Sequence, residues 1–189
     1  MSTAEVDDLV IQVRDHYVAQ FRDFVLRQQR GCKVGSPDVK FQLPPDTSAF
    51  HQFAVVDFVR NDGEPEAVIF EPESVLTLAR IEGNLAETKL VIEGLRWDAI
   101  VIRHDTPRLD EALEHWWTKR FDPDEVDSDP ADEFSGCIHA VYVAPGELQV
   151  DLGTAPAVAF WELLECLADG NASSIRAVFD RYESDCDSL

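Results

Sequence analysis

The sequence predicts an α+β fold: an antiparallel sheet of consecutive hairpins covered by helices, with a long N-terminal helix. Three observations carry that expectation. The apolar residues before Gly31 recur at helical spacing, the period changes to alternation from residue 38, and turn-forming pairs punctuate the alternating runs.

The first element is the clearest. Ser2 and Glu5 stand in the S-x-x-E spacing of a capping box, where each side chain satisfies a backbone donor of the first turn. Val6, Leu9, Val10, Val13, Tyr17, Phe21, Phe24 and Val25 trace one face of a helix of about seven turns. Gly31 is placed to end it in a left-handed conformation. So long a helix either lies across a sheet or offers Tyr17, Phe21 and Phe24 to a second copy, which makes a homodimer one expectation.

Val39, Phe41 and Leu43 then alternate with polar neighbours. PPDTSAF interrupts, and FAVVDFVR (53–60) reads as a largely buried strand. NDGE (61–64) is a hairpin turn with Asp-Gly at its centre, and EAVIF returns. EPESVLTLARI fits two readings, a short helix opened by Pro72 or a strand with Val75, Thr77, Ala79 and Ile81 on one face, and the strand is preferred. TKLVIEGLRWDAIVIRHD reads as a hairpin turning at Glu93-Gly94. Thr106 as N-cap and Pro107 at the first position open a helix whose inner face is Leu109, Leu113, Trp116 and Trp117. CIHAVYV and ELQVDL make a hairpin across Ala144-Pro145-Gly146. Thr154 and Pro156 open a last helix carrying Phe160, Leu163, Leu164 and Leu167. Gly170-Asn171 ends it, and SSIRAVF forms a final strand. The organisation expected is a helix at 1–31, an α+β domain at 38–180 forming one unit with it, and a mobile acidic tail at 181–189. The runs LVIEGLRWDAIVIRHDTPRLDEALEHWW and AVYVAPGELQVDLGTAPAVAFWELL echo each other as hairpin, Thr, Pro and Trp-bearing helix.

Charge narrows the function. Sixteen cations face thirty-seven carboxylates, a net charge of −21 with a pI near 4.3. Such a field repels phosphate backbones and no basic cluster opposes it, so no nucleic-acid partner is expected. The same field steers a cationic partner inward. Cys32, Cys137, Cys166 and Cys186 form no CxxC pair, the N-terminus lacks a secretory pattern, and no apolar run reaches the ~20 residues of a membrane span. A cytoplasmic protein with reduced thiols is expected.

The most concentrated feature is DPDEVDSDPADE, whose Asp122, Asp124, Glu125, Asp127, Asp129, Asp132 and Glu133 are seven carboxylates without a cation. A calcium loop fails in both frames, since Val126 or Ala131 falls at the fifth position and no Gly at the sixth. These seven are the expected contact patch for a basic protein, and a solvated loop is the plainer alternative.

Cys137 and His139 point to one face of a strand and suit zinc chemically. Spacing reveals no second ligand pair, so no metal or cofactor is expected, and a buried Cys beside a half-buried His is the ordinary account. His104-Asp105 lies between a strand and a helix. Glu111 and His115 are one turn apart but lack the HExxH order. Glu87, Lys89 and Asp57 faintly match the two-acids-and-lysine pattern of metal-dependent nucleases, against the global field. No GxGxxG, GxxxxGK[ST] or GxSxG occurs. The expectation is therefore a non-enzymatic acidic binding protein that docks a basic partner, as toxin-neutralising (immunity or antitoxin) inhibitors and acidic adaptors do. The alternative is a metal-assisted hydrolase drawing on Asp57, His104, Asp105, His115 and His139; the third reading is a homodimeric assembly protein.

Overall fold

The computed structural model describes residues 3–123 and 134–178. The fold is α+β. Helix α1 (Thr3–Gly31) is followed by β1 (Gly35–Gln42), β2 (Phe53–Arg60) and β3 (Glu66–Val68), which pair antiparallel in that order as a three-stranded sheet. A second sheet holds β4 (Ile81–Leu85), β5 (Thr88–Ile92), β6 (Ile100–His104), β7 (Ala140–Ala144), β8 (Glu147–Asp151) and β9 (Ser174–Val178). Its order is β4-β5-β9-β6-β8-β7, antiparallel throughout except that β9 runs parallel to β5. Helices α2 (Leu109–Phe121) and α3 (Val158–Asp169) pack on each other, and the Trp116 indole donates to the Ala159 carbonyl at 2.9 Å.

The predicted helical stripe is the buried one. Val6, Val10, Val13, Tyr17, Phe21, Phe24 and Val25 join residues of both sheets and of α2 and α3 in one apolar cluster. Tyr17, Phe21 and Phe24 are thus covered within a single chain, which removes the motive for dimerisation that the helix supplied. No helix among the described residues is long and apolar enough to cross a membrane.

The main chain of His139 bonds to both sheets. The His139 carbonyl accepts from the Val55 amide of β2 at 2.7 Å, and its own amide donates to the Asp151 carbonyl of β8 at 2.9 Å. Nearby, Val143 of β7 donates to the Ser48 carbonyl at 2.9 Å.

Several local expectations give way. The Glu93-Gly94 hairpin does not form, because β9 inserts between β5 and β6 and the Glu93 amide donates to Ala177. The two echoing stretches therefore share punctuation and not architecture, since only β7 and β8 make a hairpin. Residues 71–80 are irregular; instead Ile81–Leu85 turns back on Thr88–Ile92 through Ala86 at φ +50°. Gly31 stays helical. Neither predicted threonine caps a helix. Thr106 gives its hydroxyl to the Leu167 carbonyl, and Thr154 gives its own to Asp38. Ser2 of the capping box, and the tail 181–189, lie outside the described residues.

Candidate functional site: a buried histidine beneath an acidic cleft

Strand register starts the site. Pro37 pairs with Phe58 and Val39 with Val56, so Asp38 and Asp57 face each other across β1 and β2. Like charges directly opposite on an antiparallel pair repel. The His139 ring resolves the conflict by standing between them. Its Nε2 lies 3.1 Å from Asp38 Oδ1, and its Nδ1 lies 3.1 Å from Asp57 Oδ1 and 3.8 Å from Asp151 Oδ2. The Nε2 contact is a hydrogen bond, whereas Nδ1 is off the line of one and has no aligned partner.

Each member is held from outside. Asp38 occupies the left-handed region at φ +50°, a conformation that costs energy and that Asp tolerates better than most residues. Its second oxygen accepts the Ser135 hydroxyl at 2.6 Å, the Thr154 hydroxyl at 3.0 Å and the Ser135 amide at 3.2 Å. Asp57 accepts the Phe70 amide at 2.8 Å, and Asp151 accepts that of Gly153 at 2.8 Å. Phe21 of α1 meets the imidazole edge to face, centroids 5.9 Å apart. Gly153, at φ +50°, presses against the other flank, where a Cβ would fall 2.0 Å from His139 Cδ2. The ring has no freedom to turn.

Burial and charge oppose each other here. Burial pulls the His139 pKa down, but Asp151, Asp38 and Asp57 together hold it well above the ordinary value. Asp38 is held below the ordinary range despite its burial, by the His139, Ser135 and Thr154 contacts. Asp151 goes the other way. Burial, with Asp57 and Asp98 adding repulsion against the pull of His139, pushes it up to about 7.

Above His139 the two sheets leave a cleft of about 440 Å³. Asp57, Asp98, Glu147 and Asp151 supply its charges, Tyr142 and Gln149 its neutral polar groups, and Val55, Ile69 and Val101 part of its apolar wall. Arg96 grips Asp98 through two hydrogen bonds of 2.8 and 2.7 Å, and Arg103 reaches Glu147 at 3.3 Å. Neither arginine lines the cleft. Ile69 and Tyr142 are exposed at its rim.

Comparison with known protein families, curated proteins and solved structures finds no match.

Of the five residues expected to serve a hydrolase, the fold brings together Asp57 and His139 and disperses the rest. His104 accepts the Thr106 amide at 3.2 Å beside a different, open cleft of about 590 Å³, with burial lowering its pKa. Asp105 fastens a loop by accepting from Ser173 and Ser174, chiefly the Ser173 hydroxyl, which lowers its pKa. His115 is exposed on α2, and its expected neighbour Glu111 pairs with Arg108 at 3.1 Å. Lys89 is exposed on β5, in the other sheet from buried Asp57, so the nuclease-like pattern is not assembled. The expectation of a half-buried His139 is corrected to a fully buried one.

Of the seven acidic-loop residues, Asp122 ends α2 and pairs with Lys40; Asp124, Glu125, Asp127, Asp129, Asp132 and Glu133 lie outside the described residues. Asp38, Asp98, Glu147 and Asp151 escaped the sequence reading. One signal was available: Asp57 interrupts an otherwise apolar buried strand, and a carboxylate there needs a partner.

Proposed function

We propose that the protein is a cation-recognising binding protein, and that the cleft between its sheets takes an arginine or lysine side chain of a basic partner protein. One observation carries the reading: among the described residues the cleft is lined by four carboxylates and by no arginine or lysine, the arginines that pair with Asp98 and Glu147 lying outside it. A guanidinium or ammonium entering the cleft would relieve the repulsion among Asp57, Asp98 and Asp151. Its aliphatic stem fits the apolar wall, and Tyr142 at the rim offers a ring face to the charge. The net charge of −21 supplies long-range steering toward such a partner. An inhibitor or adaptor acting by charge complementarity is the corresponding biological role.

Titration with hexa-arginine and hexa-lysine peptides tests this. Binding is expected to weaken as salt rises, and the Asp151→Asn, Glu147→Gln pair to weaken it about tenfold, on the order of 1.4 kcal/mol. A variant with Asp124, Glu125, Asp127 and Asp129 changed to Asn or Gln separates cleft from loop. If it loses the affinity while the cleft pair keeps it, the cleft is not the binding site. If binding is insensitive to salt, the electrostatic reading falls.

A further inference from the structure

The side of His139 that faces away from the cleft carries a second arrangement. The ligand atoms of Asp38, Cys137 and His139 all lie within 4.8 Å of one another. We propose that they form a buried, tetrahedral metal site, suited to Zn²⁺, that serves structure and not turnover.

Four features of the molecule support it. The first is geometry. Ligands at 2.0–2.3 Å around a tetrahedral Zn²⁺ lie about 3.3–3.8 Å apart, so a triangle of this size closes with small side-chain shifts. Ser135 Oγ, 3.0 Å from Cys137 Sγ and 2.6 Å from Asp38 Oδ2, is the neighbouring oxygen donor for the fourth position. The second is donor chemistry. One thiolate, one imidazole and one carboxylate form a mixed set that selects zinc over magnesium or calcium, which require oxygen alone.

The third is the surrounding support. With Nε2 on the metal, the ring proton moves to Nδ1, which faces Asp57, and Asp57 is itself fixed by the Phe70 amide. A small realignment of Nδ1 on Asp57 would complete the carboxylate–histidine–metal relay that orients a ligating imidazole. Thr154 and Ser135 hold the remaining oxygen of Asp38 in the same way. Gly153 and Phe21 lock the ring between them.

The fourth is charge. Asp38 and Cys137 as anions with a neutral His139 balance a dication, leaving a neutral centre in a part of the core where the side chains of Asp38 and His139 are 3% and 0% exposed. Cys137 binds as the thiolate, and its proton is released to solvent.

Spacing alone pointed away from metal because only Cys137 and His139 were visible as a pair. The third ligand comes from β1, 101 residues before His139. The inference does not rest on the partner proposed above: its ligand is the opposite nitrogen of the ring, and although Asp57 is shared with the cleft, failure of the metal site leaves the cleft intact.

The test is expression of the full chain in medium supplemented with Zn²⁺ or with Co²⁺. Metal analysis of the purified protein is expected to give about one equivalent. The Co²⁺ form is expected to show intense tetrahedral d–d bands and a thiolate-to-cobalt charge-transfer band in the near ultraviolet. Cys137→Ser abolishes that band and Cys166→Ser retains it. Asp38→Asn, which preserves the shape of the carboxylate, folds without metal and binds Co²⁺ about 100-fold more weakly or worse. Three results would each overturn the site: a metal-free wild type whose melting temperature Zn²⁺ does not move, a charge-transfer band that survives Cys137→Ser, or only the weak spectrum of octahedral Co²⁺ spread over surface carboxylates.

Discussion

Asp151 and His139 set the sign of the protein's response to pH. In the folded chain Asp151 keeps its proton up to about 7, while its ordinary value is 3.8. Between those limits the folded state binds more protons than the unfolded one, so stability falls as pH rises. His139 continues the same trend above its ordinary value of 6.5, because its folded pKa is raised. Asp38 acts oppositely: its pKa is lowered, so its contribution is present above 3.8 and is lost as pH falls through the folded value. The groups facing Asp151 are His139, Asp57 and Asp98, with Tyr17 of α1 close enough to feel its charge. His104, whose pKa burial lowers, acts oppositely below its ordinary value of 6.5, so for the metal-free protein the decline in melting temperature is expected chiefly from about pH 6.5 to about pH 8. Asp151→Asn flattens the part of that decline below neutrality and is more stable than the parent at pH 8 by about 2 kcal/mol, a figure kept modest because the carboxylate opens on water. Thermal melts across that range decide it, and an Asn variant less stable at pH 8 would show that the ionised carboxylate is a net support.

At the scale of elements, α1 is the lid of the site as well as a wall of the core. Phe21 is fully buried and touches Tyr17, Phe24, Phe70, Phe134 and His139. Phe21→Ala is expected to cost about 3–5 kcal/mol in chemical denaturation, where a surface replacement such as Ile11→Ala stays within about 0.5 kcal/mol. A cost near that of Ile11→Ala would mean that the helix does not seal the layer beneath it. This helix was legible because one periodicity runs its whole length. The hairpin β7–β8 was legible because Gly146 at φ +74° meets a requirement stated locally by Ala144-Pro145-Gly146. Glu93-Gly94 has equally good turn chemistry and makes no hairpin, because β9, some eighty residues later, outcompetes β6 for the edge of β5. Local patterns report local geometry; strand order is a contest between segments that no window contains. The site divides along the same line. Asp57 and His139 were nameable one by one, whereas Asp38 and Asp151 join them only through sheet register and the meeting of two sheets.

Over the whole molecule the excess of carboxylates opposes compaction. A net charge of −21 on 189 residues repels itself, and counter-ions weaken that repulsion over about a Debye length. Raising sodium chloride from about 0.02 to 0.3 M is expected to raise the melting temperature by several degrees. The surface pairs seen here, such as Arg27 with Glu73 at 3.3 Å, contribute too little to reverse that trend when salt screens them. A melting temperature that drops over this range would mean that specific ion pairs, and not self-repulsion, dominate the electrostatics.

The main chain of His139 is bonded on one side to β2 and on the other to β8. Each layer thus completes part of its hydrogen bonding through the same peptide. Parting the layers therefore breaks main-chain bonds as well as side-chain packing, which couples the loss of one layer to that of the other.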